Sequence, residues 1–311
     1  MYHPYFRGKQ FELLTIREMA DVLAQKKFVP IIEPVKESLG GLNKALRAVC
    51  DKNGRAIAIV NPYHGAHRAD ASVVSDLLKD GYLENSAISA GILLRDDMEV
   101  GEAMACYDRH KTHHPVFIHH GFVYPKDLAA EIAGGMPEMT NIFVEDQDKI
   151  LYRKHFERGK RILVKDGFTS RRNADYPEVE EFSDLHVTFR DRGMDGFGDF
   201  LTVGDVYREG GGPAYAVAIH ITFIDPERDG VMYIYHFVSD DQNTPTDPAG
   251  KFAQALRKLI KKLDSGTSRI LETSAIEEFR DLHEKGHFPG LGYVKKLSMK
   301  HHIETLAHYF D

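Results

Sequence analysis

A chain of 311 residues, 42% hydrophobic and 28% charged, has enough apolar material for a large core, and no run reaches the roughly 18 apolar residues of a membrane span. Its formal charge of −7 argues against the broad attraction behind non-specific nucleic-acid binding and leaves room only for a local basic site. The two cysteines, Cys50 and Cys106, fall far apart in predicted helices, so they supply neither a disulfide framework nor a metal-ligand spacing. Met1–Arg7 lacks the pattern of a secretory signal, and a cytoplasmic location is expected.

The opening Tyr2–Arg7 is aromatic and extended in character, with Pro4 near its start. Gly8-Lys9-Gln10 leads into a helix whose apolar stripe is Phe11, Leu14, Met19, Val22 and Leu23 and whose end carries Lys26 and Lys27. Six hydrophobic segments follow, and each stops abruptly at polar or charged residues. They are Val29–Val35, Ala56–Val60, Ile88–Leu94, Val116–Ile118, Ile142–Val144 and Ile162–Val164. Between them lie amphipathic stretches of helical length at Leu42–Asp51, Ser72–Lys79, Met98–Arg109, Pro125–Ala133 and Asp148–Arg158. Alternating strand and helix is the pattern of a parallel sheet.

With Ala214–Ile224 as an eighth strand, the count is the one that closes a barrel. Gly167–Pro213 shows no strand-and-helix repeat and reads as a long insertion. Asp225–Gly230 is too short for a parallel crossover, so Ala214–Ile224 and Val231–Val238 are predicted to form an antiparallel hairpin. Helices are expected at Lys251–Leu263, Ser274–Glu284 and Val294–Tyr309. The expected fold is α/β, a (β/α)8 barrel-like single domain over residues 1–311, with a hairpin after the eighth strand and a helical C-terminal extension from about Pro248.

In such a barrel the polar strand tips converge on one face. Arg7, Lys9, Lys36, Arg95 and Lys165 would bring cations there, beside Glu33, Glu145 and Asp166. Cations can hold a phosphate or carboxylate while a carboxylate moves a proton, and the same charges could equally close the mouth as a ring of salt bridges. The candidate catalytic residues are Glu33, Glu145 and Asp166. The candidate substrate-binding residues are Arg7, Lys36, Asn61, Arg95, His119, Lys165 and His220.

Histidines near strand ends, among them His64, His67, His119, His120, His220 and His236, lack a metal-binding spacing and read better as hydrogen-bonded side chains; no metal is assigned. Lys165 could form a Schiff base, but a salt bridge accounts for it without a second signature. Asp195–Asp199 and Gly210–Pro213 read as loop punctuation, the first as a tight acidic turn, and neither matches a dinucleotide or phosphate-loop fingerprint, so no cofactor is named. Arg257, Lys258, Lys261 and Lys262 read as a solvated helix face. The chain has no Gly-x-Ser-x-Gly elbow.

Tyr2–Glu12, Pro30–Lys36, Gly212–His220, His236–Asp240 and Gly250–Phe252 together resemble an uncharacterised bacterial family distantly similar to the so-called beta-family proteins of bacteria and phages. The resemblance spans nearly the whole chain. It implies a protein partner encoded nearby and a mobile-element or defence setting, and it carries no catalytic residues. Two functions follow as expectations: an enzyme acting on a small phosphorylated or otherwise anionic substrate at the C-terminal face of the barrel, or a non-catalytic subunit that recognises a partner protein or nucleotide signal through that face.

Overall fold

The computed structural model describes every residue except 84, 136–138, 145–148, 211 and 213. The chain divides into two compact units: residues 1–166 with 188–200, and residues 167–187 with 201–311.

Unit 1 is the barrel. Its strands are β1 (Tyr5–Phe6), β2 (Ile31–Ile32), β3 (Ala56–Ile59), β4 (Ile88–Arg95), β5 (Val116–His120), β6 (Thr140–Val144), β7 (Lys160–Val164) and, after an excursion through β8 (Val179–Ser183) in unit 2, β9 (Gly196–Gly198). They pair in parallel in the order β1-β2-β3-β4-β5-β6-β7-β9. A parallel bridge between Tyr2 and Phe197 closes the ring, with His3 N donating to Phe197 O at 2.8 Å and Tyr5 N to Asp199 O at 2.9 Å.

Strand alternation sends one set of side chains into the barrel. Tyr5, Ile31, Ile57, Ile59, Leu93, Ile118, Ile142, Val144, Ile162, Val164 and Phe200 form that inner core. The other set meets the helices α1 (Gln10–Glu18), α2 (Ala20–Gln25), α3 (Gly40–Asp51), α4 (Ser72–Tyr82), α5 (Val100–Arg109), α6 (Pro125–Glu131) and α7 (Ile150–Arg153). In α3 the buried Leu42, Ala45, Leu46 and Val49 recur at the spacing that lines one helical face.

The eighth barrel strand corrects the sequence expectation. It is the three-residue Gly-Phe-Gly of β9, read from the sequence as part of a tight acidic turn, and not the apolar Ala214–Ile224 segment. Glycine is required in this seam. A Cβ on Gly198 would stand 2.1 Å from the carbonyl oxygen of His3, and one on Gly196 would stand 2.5 Å from that of Met1.

Unit 2 contains a three-stranded antiparallel sheet in the order β10 (Ala218–Asp225), β11 (Val231–Val238), β8. The hairpin of β10 and β11 is the antiparallel one expected, with Asp225 opposite Val231 and Ala218 opposite Val238. The helices α9 (Pro248–Leu263), α10 (Ser274–Glu284) and α11 (Leu291–Tyr309) complete the C-terminal part, and the short α8 (Leu185–Thr188) spans the point in the sequence where the chain passes from unit 2 to unit 1. Ile219, Ile221, Phe223, Tyr235 and Phe237 of the hairpin share a core with Phe252, Leu256 and Leu259 of α9 and Phe279 of α10. Among the described residues, no helix is long and apolar enough to cross a membrane.

Candidate functional site

In a parallel barrel the residues after each strand gather at the C-terminal face. Glu33 follows β2 there, is fully buried, and is met by donors from two other segments of chain. Arg7, after β1, pairs with its Oε2, and Tyr5 donates its hydroxyl to the same oxygen at 3.2 Å. The backbone N–H groups of Tyr63 and His64, after β3, each donate to Oε1 at 2.9 Å, and His64 Nδ1 lies 3.1 Å from that oxygen. Burial by itself would raise the Glu33 carboxyl. The His64 hydrogen bonds and the Arg7 charge outweigh it and hold the group down at about 2.

That environment makes Glu33 a permanently ionised anchor, a poor choice for a group that must take up and release protons near neutrality. Its orienting role falls on His64. An ionised carboxylate only accepts, so His64 Nδ1 donates to Glu33. The 3.3 Å approach of Arg7 to the same Nδ1 is then a contact between two donors and no hydrogen bond.

The loop carrying Tyr63 and His64 is pinned by its own geometry. Gly65 has φ +76°, and Ala66 N donates to Val35 O at 3.1 Å. His67 is buried with Nε2 2.9 Å from the carbonyl oxygen of Lys36, which occupies it structurally. Tyr63 itself is flanked by guanidinium groups, Arg68 at 4.5 Å and Arg95 at 5.4 Å from its ring centroid. Arg95 also donates from Nε to Asp97 at 2.8 Å.

The remaining sequence candidates have varied positions. Arg7 is buried against Glu33 and packs over the rings of Tyr5 and Phe200. Lys36 is exposed, and the fold uses its carbonyl. Asn61 is committed to the sheet: its side-chain amide donates to Leu93 O at 2.9 Å and accepts from Leu93 N at 2.8 Å, extending the β3–β4 contact beyond its last pair, Ile59 and Gly91. Lys165 and Asp166 lie half-buried at the end of β7, where Lys165 N donates to Gly198 O at 3.1 Å. Glu145 lies outside the described residues, as do Gly211 and Pro213.

Two candidates do not occupy inward positions of barrel strands. His119 alternates away from the barrel interior and is fully buried, stacked on Phe143 and held by Tyr152 at 2.8 Å and Asn141 at 3.0 Å. Burial lowers its pKa to about 4, against a smaller upward pull from Asn141. His220 belongs to β10 of unit 2, because β10 is not a barrel strand.

Glu12, in the first turn of α1, was missed. It is buried with Oε2 unpartnered among the described residues, and burial raises its carboxyl despite the opposing charge of Lys9 and hydrogen bonds from the backbone of Arg7 and Lys9. Its signal in the sequence was its position three residues after Lys9, at a helix start. Glu12 and Glu33 are therefore driven in opposite directions by their surroundings.

Among the described residues, no group of three or more His, Cys, Asp or Glu is placed to hold a metal ion. A surface recess between Lys79 and Ser86 lies at the C-terminal end of α4, toward the opposite end of the barrel from these strand tips.

No family model and no curated protein matches the chain. Among solved structures it is similar to an endo-1,4-beta-mannanase from Rhizomucor miehei, at 9% identity and a TM-score of 0.37, over 60% of this chain and 82% of that one. It is similar to the same degree, 9% and 0.37, to a morphinone reductase variant in complex with tetrahydroNAD, over 64% of this chain and 82% of that one. Neither likeness bears on the chemistry of the site.

Proposed function

We propose that the barrel is an enzyme acting on a small phosphorylated or otherwise anionic substrate at its C-terminal face. Arg95 and Arg68, set around Tyr63, engage the anion, and His64 transfers the proton. The observation that carries this reading is the 3.1 Å contact between His64 Nδ1 and Glu33 Oε1, an imidazole oriented by a buried carboxylate where a barrel presents its chemistry. His64 retains about a fifth of its side-chain surface, whereas Glu33 has none.

The test is thermal melting in inorganic phosphate against chloride at equal ionic strength, followed by a turnover screen of phosphorylated small molecules. Phosphate should raise Tm more than chloride does, by mass action on the native state, and Arg95→Ala should shrink the difference. His64→Gln should keep the phosphate response and lose turnover. An equal response to both salts in the wild type would count against the anion site.

The non-catalytic reading draws on a different observation. Val123 and Tyr124, after β5, and Ile150 and Leu151, at the start of α7, are exposed apolar side chains that follow strands at the same end of the barrel. A protein partner would cover them. Phosphate-insensitive melting together with loss of partner binding in Leu151→Asp would favour this reading.

A further inference from the structure

Unit 2 has a line of polar side chains on its three-stranded sheet that the barrel site does not use. Arg171 binds both carboxylate oxygens of Glu180 on β8, one of them at 2.8 Å. Oε1 of Glu180 lies 3.0 Å from Nε2 of His236 on β11. Nδ1 of His236 lies 2.7 Å from Nδ1 of His220, its register partner on β10. Tyr176 stacks on His236 with centroids 4.5 Å apart and meets His220 edge-on at 4.8 Å, while Phe168 meets His220 edge-on at 5.0 Å.

Counting protons fixes the direction of this chain. Burial raises the Glu180 carboxyl, but the hydrogen bonds and charge of Arg171 outweigh it and hold it below the ordinary range. Glu180 is therefore ionised and accepts only, so His236 donates from Nε2. Two Nδ1 atoms 2.7 Å apart have room for one proton between them. Burial lowers His236 to about 4 against the pull of Glu180, and burial, then His236 and Lys295, lower His220 well below its ordinary value. Both rings are neutral near pH 7. His236 must then accept at Nδ1, His220 must donate from Nδ1, and the lone pair left over sits on His220 Nε2. Among the described residues nothing hydrogen-bonds that nitrogen, and it is not sealed from solvent.

We propose that His220 Nε2 is the acceptor of a second ligand site, which binds a small neutral molecule through an O–H or N–H donor and packs the molecule's apolar face on Phe168 and Tyr176. The chemistry of the donor follows from the surroundings. Aromatic walls would otherwise welcome a cation, but the field of Lys295 on His220, the ring that meets the ligand, opposes one. Arg171, Glu180 and His236 are positioning residues: they fix which nitrogen of His220 faces the ligand.

Nitrogen-15 NMR of the histidine rings in the full chain, near pH 7, tests this, with phenol as a neutral donor and guanidinium as a cationic one. His220 Nε2 should be unprotonated and Nδ1 protonated, phenol should shift the Nε2 resonance saturably, and guanidinium should not. In Glu180→Gln the amide can either donate or accept, so the tautomer is no longer forced. The Nε2-protonated fraction of His220 should rise to a mixture and the phenol shift should fall several-fold. A protonated Nε2 in the wild type overturns the proposal without recourse to any variant. So does a wild type that ignores phenol or responds equally to guanidinium.

Discussion

Gly65 and Val35 touch so closely that a side chain cannot come between them: a Cβ on Gly65 would stand 2.2 Å from the Val35 carbonyl oxygen and 2.5 Å from its Cα. This approach presents the Tyr63 and His64 amides to Glu33. Gly65→Ala combines a left-handed conformation costing about 1–2 kcal/mol with a backbone overlap, and is expected to destabilise the barrel by roughly 3 kcal/mol. Urea unfolding would measure it. A loss below about 1 kcal/mol would show that the loop can move off Val35 freely.

Glu33→Gln is expected to destabilise the fold. It removes the carboxylate charge that faces the Arg7 guanidinium in a buried site, and breaking such a pair typically costs about 3–5 kcal/mol. Arg7→Met combined with Glu33→Gln should be more stable than Glu33→Gln alone, because no guanidinium charge is then left facing a neutral amide. Urea midpoints of the two variants decide it. Additive losses would mean that the two side chains do not act as a pair.

Acid should lower stability over two pH ranges. His119 and His301 are fully buried with pKa values lowered to about 4 from 6.5, each chiefly by burial. The unfolded chain therefore binds their protons first, and stability falls as pH drops from about 6.5 toward 4. Glu33, held at about 2 against an ordinary 4.5, contributes stability that is complete above 4.5 and is lost as pH falls toward 2. Unfolding free energy measured from pH 8 to 3 should stay flat at first and decline below about 6.5. Replacing His119 by Gln should remove up to one proton from the linkage slope in the first range. An unchanged slope would mean that His119 titrates alike in both states.

Asn61→Ala should separate architecture from ligand binding. It strips two hydrogen bonds from the backbone of Leu93 and should cost about 2 kcal/mol, while the difference between phosphate and chloride melting stays as in the wild type. If that difference vanishes together with the stability, Asn61 belongs to the anion site after all.

The barrel was legible because seven of its strands overlap segments that the sequence marks out, the opening aromatic stretch and the six apolar runs with their polar stops. The eighth was not, because Gly-Phe-Gly carries no apolar run: its glycines are there so that the Met1 and His3 carbonyls can approach. The apolar Ala214–Ile224 segment took its place in the count, since period and length alone do not say which sheet a strand joins. At the site, Glu33, Arg7 and Arg95 were visible as charges at strand tips. The role of Glu33 was not, because it depends on five donors from β1 and the loop after β3. His119 was misplaced for a simpler reason: strands alternate, and its neighbour His120 has the inward parity.

Because β8 lies between β7 and β9 in the chain while its ladder partner is β11, the two units mature on different schedules as the polypeptide leaves the ribosome. Every strand of the barrel has emerged once Gly198 is out, so the ring can close early. Val179–Ser183 must then wait as a lone edge until Met232–Tyr235 is synthesised. Its glutamates at 180 and 181 keep that waiting edge charged, which is how a nascent chain discourages the wrong neighbour from pairing with it.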